Sequence, residues 1–154
     1  MDKPKYVLVT YIRTTPEKLW QALTDPAFTQ KYFFSTSIES TWKPGAKWKG
    51  VSGGKVVISG EVIESNPPRK LVQTFIGDSK PENYVQGASR LTYDIEPVGD
   101  SCKLTIIHEA DKANPKMLDD VSNGWPLIIA SLKSLLETGQ SLEATNKVAG
   151  CGQQ

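Results

Sequence analysis

Histidine and cysteine are scarce in this chain of 154 residues, which contains only His108, Cys102 and Cys151. A zinc or iron site needs several converging His, Cys, Asp or Glu ligands at suitable spacing. The two cysteines form no spaced framework, so we expect free thiols in a reducing cytoplasm. We therefore predict no metal, and any histidine-based chemistry would have to use His108.

An excess of one charge and a long apolar run are also missing. The 18 basic and 17 acidic residues leave a net charge of +1, and the basic side chains are scattered. This balance argues against nucleic acid or an anionic membrane surface as a partner. No stretch approaches the roughly 20 apolar residues of a membrane span, and MDKPKYVLVTYIRTT lacks the apolar core of a signal peptide. We expect a globular cytoplasmic protein without a membrane span.

Nucleotide-binding motifs are absent as well. The run GVSGGKVV fails the phosphate-loop spacing, because position 49 is Lys and Lys55 is followed by Val56. No GxGxxG follows a predicted strand. Gly53 and Gly54 are instead typical of a hairpin turn between two strands, and we predict no cofactor.

The first elements of the chain are a strand and two small helices. KYVLVTYIR is β-branched and alternating, which predicts a strand. TTPEKLWQALTDP predicts a helix, with Thr15 as its cap and Pro16 at its first position. PAFTQKYFF predicts a second short helix before the pattern changes to period two.

Antiparallel strands and one long helix follow. GAKWKGVSGGKVVISGEVIESNPP, RKLVQTFIG, ASRLTYDIEP and SCKLTIIHEA read as strands joined by turns. NGWPLIIASLKSLLETG predicts an amphipathic helix that begins after the break at Asn123–Gly124 and stops at Gly139. The fold class is therefore α+β, a curved antiparallel sheet of about six to seven strands wrapped around a long C-terminal helix. We expect one domain over residues 1–140 and a flexible tail over 141–154.

Several of these segments resemble a known family. TTPEKLWQALTDPAFTQKYF, GEVIESNPPRKLVQTF and GWPLIIASLKSLLETG are similar to the activator of heat-shock protein 90 ATPase homologue-like family, within the START and birch-pollen-allergen-like superfamily. The resemblance runs from about Tyr6 to Gly139. It implies the helix-grip fold, with an elongated apolar cavity between sheet and helix, and relatives that bind lipids, sterols, polyketides or phenolics. The co-chaperone that names the family carries a further N-terminal domain, so we do not expect its activity here.

The implied cavity makes some inner-face side chains candidates for ligand contact. Individually, each aromatic is more often a core residue than a ligand contact. Alternation predicts Tyr93 and His108 as the polar anchors of the cavity. The candidate lining residues are Trp20, Phe33, Trp48, Val56, Ile58, Phe75, Tyr93, Ile106, His108, Trp125, Ile129 and Leu132.

Three functions remain open. The first is noncatalytic binding of a small hydrophobic or amphipathic molecule, such as a lipid, polyketide or flavonoid, by a monomer or homodimer, in a stress-related setting. The second is a cyclase or dehydratase that uses Tyr93, His108 or Glu61 as acid-base groups, and it requires a perturbed pKa in the cavity. The third is a chaperone-associated interaction domain, which requires an exposed apolar patch on the outer sheet face. His108 has a further reading, as a hydrogen-bonded or solvent-facing residue at a strand end.

Overall fold

Seven strands and three α-helices make up the computed structural model, which describes residues 5–77, 89–109 and 115–145, without the side chains of 115–120. The predicted α+β class and the two short helices after the first strand are confirmed. The strands are β1 (Lys5–Ile12), β2 (Ser37–Glu39), β3 (Lys47–Ser52), β4 (Lys55–Asn66), β5 (Lys70–Gly77), β6 (Ser89–Val98) and β7 (Ser101–Glu109), and the helices are α1 (Pro16–Thr24), α2 (Pro26–Tyr32) and α3 (Pro115–Thr138).

The strands form one antiparallel sheet in the order β1-β7-β6-β5-β4-β3-β2. From β2 to β7, consecutive strands are neighbours, as expected for strands joined by turns. The first strand instead pairs with the last, with Val7 opposite Ile107. Strands β1 and β2 therefore form the two edges of the sheet.

Alternation predicts the buried face correctly in the central strands. Leu91, Tyr93 and Ile95 of β6 are buried, and so are Leu104, Ile106 and His108 of β7. The register pairs Tyr93 with Ile106 and Leu91 with His108, so these side chains share one face. That face packs with α3 to form the core, because an antiparallel sheet with one apolar face needs a cover.

Strand β4 departs from simple alternation, and the prediction for Val56 is wrong as a result. The register shifts between Gly50 and Val51, where β3 pairs with β4, so Val51 faces Val56 while Gly50 faces Ile58. The extra residue is Val57, and a β-bulge of this kind turns the flanking side chains to opposite faces. Ile58 stays partly buried against the core, whereas Val56 is 43% exposed.

The predicted cap of the first short helix is present, and the second helix has a cap that was not predicted. Thr15 Oγ1 accepts a hydrogen bond from the Lys18 backbone N–H at 3.2 Å, and Pro16 occupies the first turn of α1. Asp25 ends α1 and caps α2 through its bond from the Ala27 N–H at 2.9 Å. The strand therefore leads into two helices that pack beside each other at one end of the sheet.

Helix α3 is longer than the sequence predicts. It begins at Pro115, so Asn123, Gly124 and Pro126 lie inside it rather than at its start. Asn123 and Pro126 are exposed, while Val121 and Trp125, four residues apart, are buried on one face. Burial of that face outweighs the helix penalties of Asn and Gly and the larger penalty of Pro.

Part of the segment predicted as a tail packs against α3. A short 3-10 helix covers Glu143–Thr145. Ser131 Oγ on α3 accepts a bond from the Leu142 N–H at 2.9 Å and lies 2.7 Å from Thr145 Oγ1. Thr145 is fully buried. The rest of the predicted tail lies outside the described residues.

Candidate functional site in the interior

Most of the predicted lining residues meet in the interior between the sheet and α3. Trp20 and Ile58 are partly buried against the core, and Val56 lies outside it, as described above. The buried members of the set are Phe33, Trp48, Phe75, Tyr93, Ile106, His108, Trp125, Ile129 and Leu132.

Trp125 is at the centre of a cluster of rings from α3, from strands β5, β6 and β7, and from the segment directly after α2. Its indole lies edge-on to Phe33 at 5.8 Å and to Tyr93 at 6.1 Å between ring centroids. The His108 ring is 6.2 Å away, and Phe75 lies 4.9 Å beyond it. These separations are in the range that favours edge-to-face aromatic packing. The interior is therefore an aromatic surface with a few polar groups in it.

Both ring nitrogens of His108 are hydrogen-bonded. The Trp125 indole N–H donates to Nδ1 at 3.1 Å, and Nε2 lies 2.7 Å from Ser89 Oγ. Ser89 Oγ in turn donates to the Phe75 carbonyl at 3.0 Å. An indole nitrogen can only donate, so Nδ1 must be the acceptor and Nε2 carries the proton that goes to Ser89.

His108 is held neutral by this environment. The residue is fully buried, and burial lowers its pKa from 6.5 to about 4. A second proton would have to sit on Nδ1, where the Trp125 N–H already points. His108 is therefore a hydrogen-bonded residue near the end of β7 that has no contact with solvent.

The contact between Ser89 and His108 superficially resembles a nucleophile and its base. A base must accept the hydroxyl proton at Nε2 and have its other nitrogen oriented by an acceptor, such as a carboxylate. Here Trp125 donates to Nδ1, so Nε2 is already protonated and donates to Ser89. Ser89 is only 3% exposed. The pair has the wrong tautomer to activate a nucleophile.

Two further polar side chains lie on the inner face. Tyr93 is buried, and burial raises the pKa of its hydroxyl well above the usual range, so it stays a neutral phenol. Gln73 is 3% exposed, and its Oε1 is a buried atom without a hydrogen-bond partner among the described residues. Sequence reasoning missed Gln73, although alternation in KLVQTFIG places it on the same face as Leu71 and Phe75.

Glu61, the third candidate acid, lies outside this interior. It is exposed and faces Lys47 across strands β3 and β4. It also borders a surface cavity of about 820 Å³, whose other lining residues are Glu39, Ser40, Thr41, Lys47, Trp48, Lys49, Val56, Ser59, Gly60, Thr74 and Ile76. Glu61 cannot act with His108 and Tyr93 on one molecule in the interior.

The outer face carries one row of exposed apolar side chains, on the edge strand β1. Val7, Val9 and Tyr11 are 48%, 49% and 51% exposed. They alternate along the strand, so they point to the same side. Ile107 lies opposite Val7 on β7 and is half-buried. The interaction hypothesis required an apolar patch of this kind.

Within the described part of the chain, no group of three or more His, Cys, Asp or Glu side chains could hold a metal ion. Cys102 is a free, buried thiol. None of the helices in the described ranges has the length and apolarity to cross a bilayer.

Solved structures show the same fold. The Aha1 dimer from Colwellia psychrerythraea superposes with a TM-score of 0.75 at 20% identity, covering 90% of this chain and 99% of that one. An HSP90 activator from Plasmodium falciparum gives 0.72 at 21% identity, covering 86% and 95%. DynU16, encoded in the dynemicin biosynthetic locus, gives 0.70 at 17% identity and covers 89% of this chain and 48% of that one. These likenesses confirm the helix-grip fold.

Sequence comparison agrees with the structural one. A search of curated protein sequences gives no significant match. The family model described as Activator of Hsp90 ATPase homolog 1-like protein matches residues 13–137, most of the chain and all of the interior site. The chain therefore belongs to the family of Activator of Hsp90 ATPase homolog 1-like proteins.

Proposed function

We propose that this protein binds a small hydrophobic or amphipathic molecule between the sheet and α3, without catalysis. The observation that carries the proposal is the convergence of Tyr93 from β6, Trp125 from α3 and Phe33, directly after α2, on one buried surface. Small-molecule sites are typically apolar and aromatic, with a few placed polar groups. The similarity to a protein of a natural-product locus favours polyketides, phenolics or lipids as the class of molecule.

Burial of apolar surface would supply the affinity. At about 25 cal/mol per Å², a few hundred Å² of ligand surface contributes several kcal/mol. That amount supports micromolar binding after the costs of ordering both molecules. A cytoplasmic location suits this role, and so does the free Cys102 thiol.

Tryptophan fluorescence tests the proposal directly, because Trp125 is in the proposed contact surface. We expect a saturable change at micromolar concentrations of at least one lipid, flavonoid or polyketide. Trp125→Phe should abolish most of that change. Trp42→Phe is the control, because the Trp42 indole donates to the Thr24 carbonyl at 2.9 Å, away from the central rings. If no compound of the panel changes the fluorescence and the amide NMR spectra also stay unchanged, the proposal is refuted.

The apolar row on β1 supports a second function, pairing with another copy of the chain. Lys133 Nζ donates to the Tyr11 carbonyl at 2.6 Å, and Glu137 accepts from the Arg13 N–H at 2.9 Å. These bonds cover the edge of β1 at its C-terminal end. Towards Lys5, no strand lies beyond β1 in the described part of the sheet. An uncovered edge with exposed valines is a template for pairing, and the Colwellia psychrerythraea relative is a dimer.

Light scattering after size exclusion tests the dimer. We expect wild-type protein to dimerise with rising concentration and Val9→Lys to remain monomeric. Ile63→Lys is the control, since Ile63 is 40% exposed on β4, far from β1 in strand order. A wild-type monomer at all concentrations would refute the pairing.

A further inference from the structure

The buried oxygen of Gln73 is the least explained polar atom of the interior. Gln73 lies on β5, with Val62 facing it on β4 and Leu91 facing it on β6. Both facing residues are 1% exposed. In the part of the chain that the structure describes, its Oε1 has no hydrogen-bond partner. Burying a carbonyl without a donor is costly, and such atoms are rare in folded proteins.

Three side-chain donors of the interior already have acceptors. The Trp125 indole N–H is bonded to His108 Nδ1, and Ser89 Oγ donates to the Phe75 carbonyl. The Trp48 indole N–H donates to the Thr74 carbonyl at 2.8 Å. Each of these bonds would have to break before its donor could turn to Gln73. The Tyr93 hydroxyl does not bond to Oε1 either. A donor for Oε1 is therefore expected from outside these four side chains.

Tyr93 lies diagonally across from Gln73 on the same face. The register pairs Leu71 with Tyr93 and Gln73 with Leu91, so the two polar residues are one diagonal step apart. Diagonal neighbours on a sheet are within reach of one molecule that touches both. The Tyr93 ring also contacts Trp125. A flat molecule on the aromatic surface would bring its edge to Gln73.

We propose that Gln73 Oε1 accepts a hydrogen bond from a hydroxyl group of the bound molecule, beside the Tyr93 hydroxyl. This inference rests on the proposed binding function and narrows its ligand class. The groups facing this region, Gln73, Tyr93, Ser89 and His108, are uncharged, so an ionised carboxylate would be buried without a counter-charge. The ligand class is therefore an uncharged aromatic or polycyclic alcohol or phenol, and ionised fatty acids are excluded.

A matched pair of probes separates the contribution of a ligand hydroxyl group to affinity from the contribution of the ring system. 2-Naphthol carries a donor, whereas 2-methoxynaphthalene has the same ring and no donor. In calorimetric titrations we expect wild-type protein to bind 2-naphthol about tenfold more tightly, the effect of one good hydrogen bond. Gln73→Leu should bind 2-methoxynaphthalene as before and lose the preference. Gln21→Leu is the control, because Gln21 is exposed on α1.

The ligand-free protein provides an independent readout. Gln73→Leu removes an unpaired acceptor, so its melting temperature should equal or exceed that of wild type. A lower melting temperature would mean that Oε1 is already satisfied and would overturn the assignment. A preference for 2-naphthol that survives in Gln73→Leu would overturn it too. A preference for 2-methoxynaphthalene that depends on Gln73 would also overturn the assignment. In that case the Gln73 amide would donate a hydrogen bond to the ligand and not accept one. If neither probe nor any member of the fluorescence panel binds wild type, the proposed function itself fails.

Discussion

The indole N–H of Trp125 donates to Nδ1 of His108 across 3.1 Å, which joins the terminal helix to the last strand of the sheet. This one bond determines the tautomer of the histidine and directs its remaining proton to Ser89. It also explains why the single imidazole of the chain is buried without being a base.

Acid should destabilise the protein through His108. The folded state lowers the pKa from 6.5 to about 4, so the folded protein binds this proton less readily than the unfolded chain. The contribution to stability is complete above pH 6.5 and is lost as the pH falls towards 4. Between pH 7 and 5 the free energy of unfolding should fall by about 2 kcal/mol through this group.

Urea denaturation at both pH values measures the loss. His108→Gln keeps a polar side chain that does not titrate, so the loss specific to His108 should disappear in that variant. Equal losses in wild type and His108→Gln would assign the pH dependence to other groups.

Trp125→Phe should allow His108 to adopt both of its neutral tautomers. The substitution keeps a ring but removes the donor to Nδ1, leaving a buried acceptor unpaired at a cost of about 1–3 kcal/mol. Imidazole ¹⁵N chemical shifts should show one tautomer, protonated at Nε2, in wild type and a mixture in the variant. Trp20→Phe, on the half-buried side of α1, should leave the ¹⁵N shifts unchanged. A single tautomer in Trp125→Phe would contradict this account.

Gly60→Ala should destabilise the sheet. A Cβ at this position would collide with the Thr74 carbonyl and with the Trp48 indole nitrogen. Overpacking of this kind costs about 1–3 kcal/mol. Gly124→Ala is the matched control, because a Cβ there meets nothing within 4 Å and alanine favours a helix interior by up to about 1 kcal/mol. The melting temperature should therefore fall in Gly60→Ala and rise in Gly124→Ala. A change in the same direction in both variants would contradict the predicted clash at Gly60.

Ser131→Ala should loosen the segment after α3. Thr145 Oγ1 donates to the Leu142 carbonyl at 2.9 Å, so Ser131 donates to Thr145 and accepts from the Leu142 N–H. Loss of these buried bonds should cost about 1–3 kcal/mol and speed hydrogen exchange at the Leu142 amide. Ser134→Ala removes an exposed bond to the Gln140 carbonyl and should change stability by less than about 0.5 kcal/mol. Unchanged exchange at Leu142 would show that Ser131 does not hold the segment.

The sequence by itself determined the order and type of most elements, but not the short strand β2 or the 3-10 helix at Glu143–Thr145. Period-two alternation identified the central strands and their inner faces, including Tyr93 and Ile106. The alternation arises because one face of each strand is buried and the other is exposed to solvent. Cap chemistry at Thr15 marked the first short helix, since that side chain satisfies one of the first free backbone N–H groups. These signals are local, so a single sequence contains them.

Tertiary structure alone decided the rest. The bulge at Val57 moved Val56 to the outer face, and the buried contacts of Val121 and Trp125 extended α3 through its glycine and proline. His108, Ser89 and Trp125 are far apart along the chain, and their bonds depend on how the helix crosses the sheet. Alternation placed Gln73 on the inner face, but only the packed interior shows that its oxygen lacks a donor. Hydrogen-bond satisfaction is a property of atoms brought together by folding, and sequence spacing does not contain it.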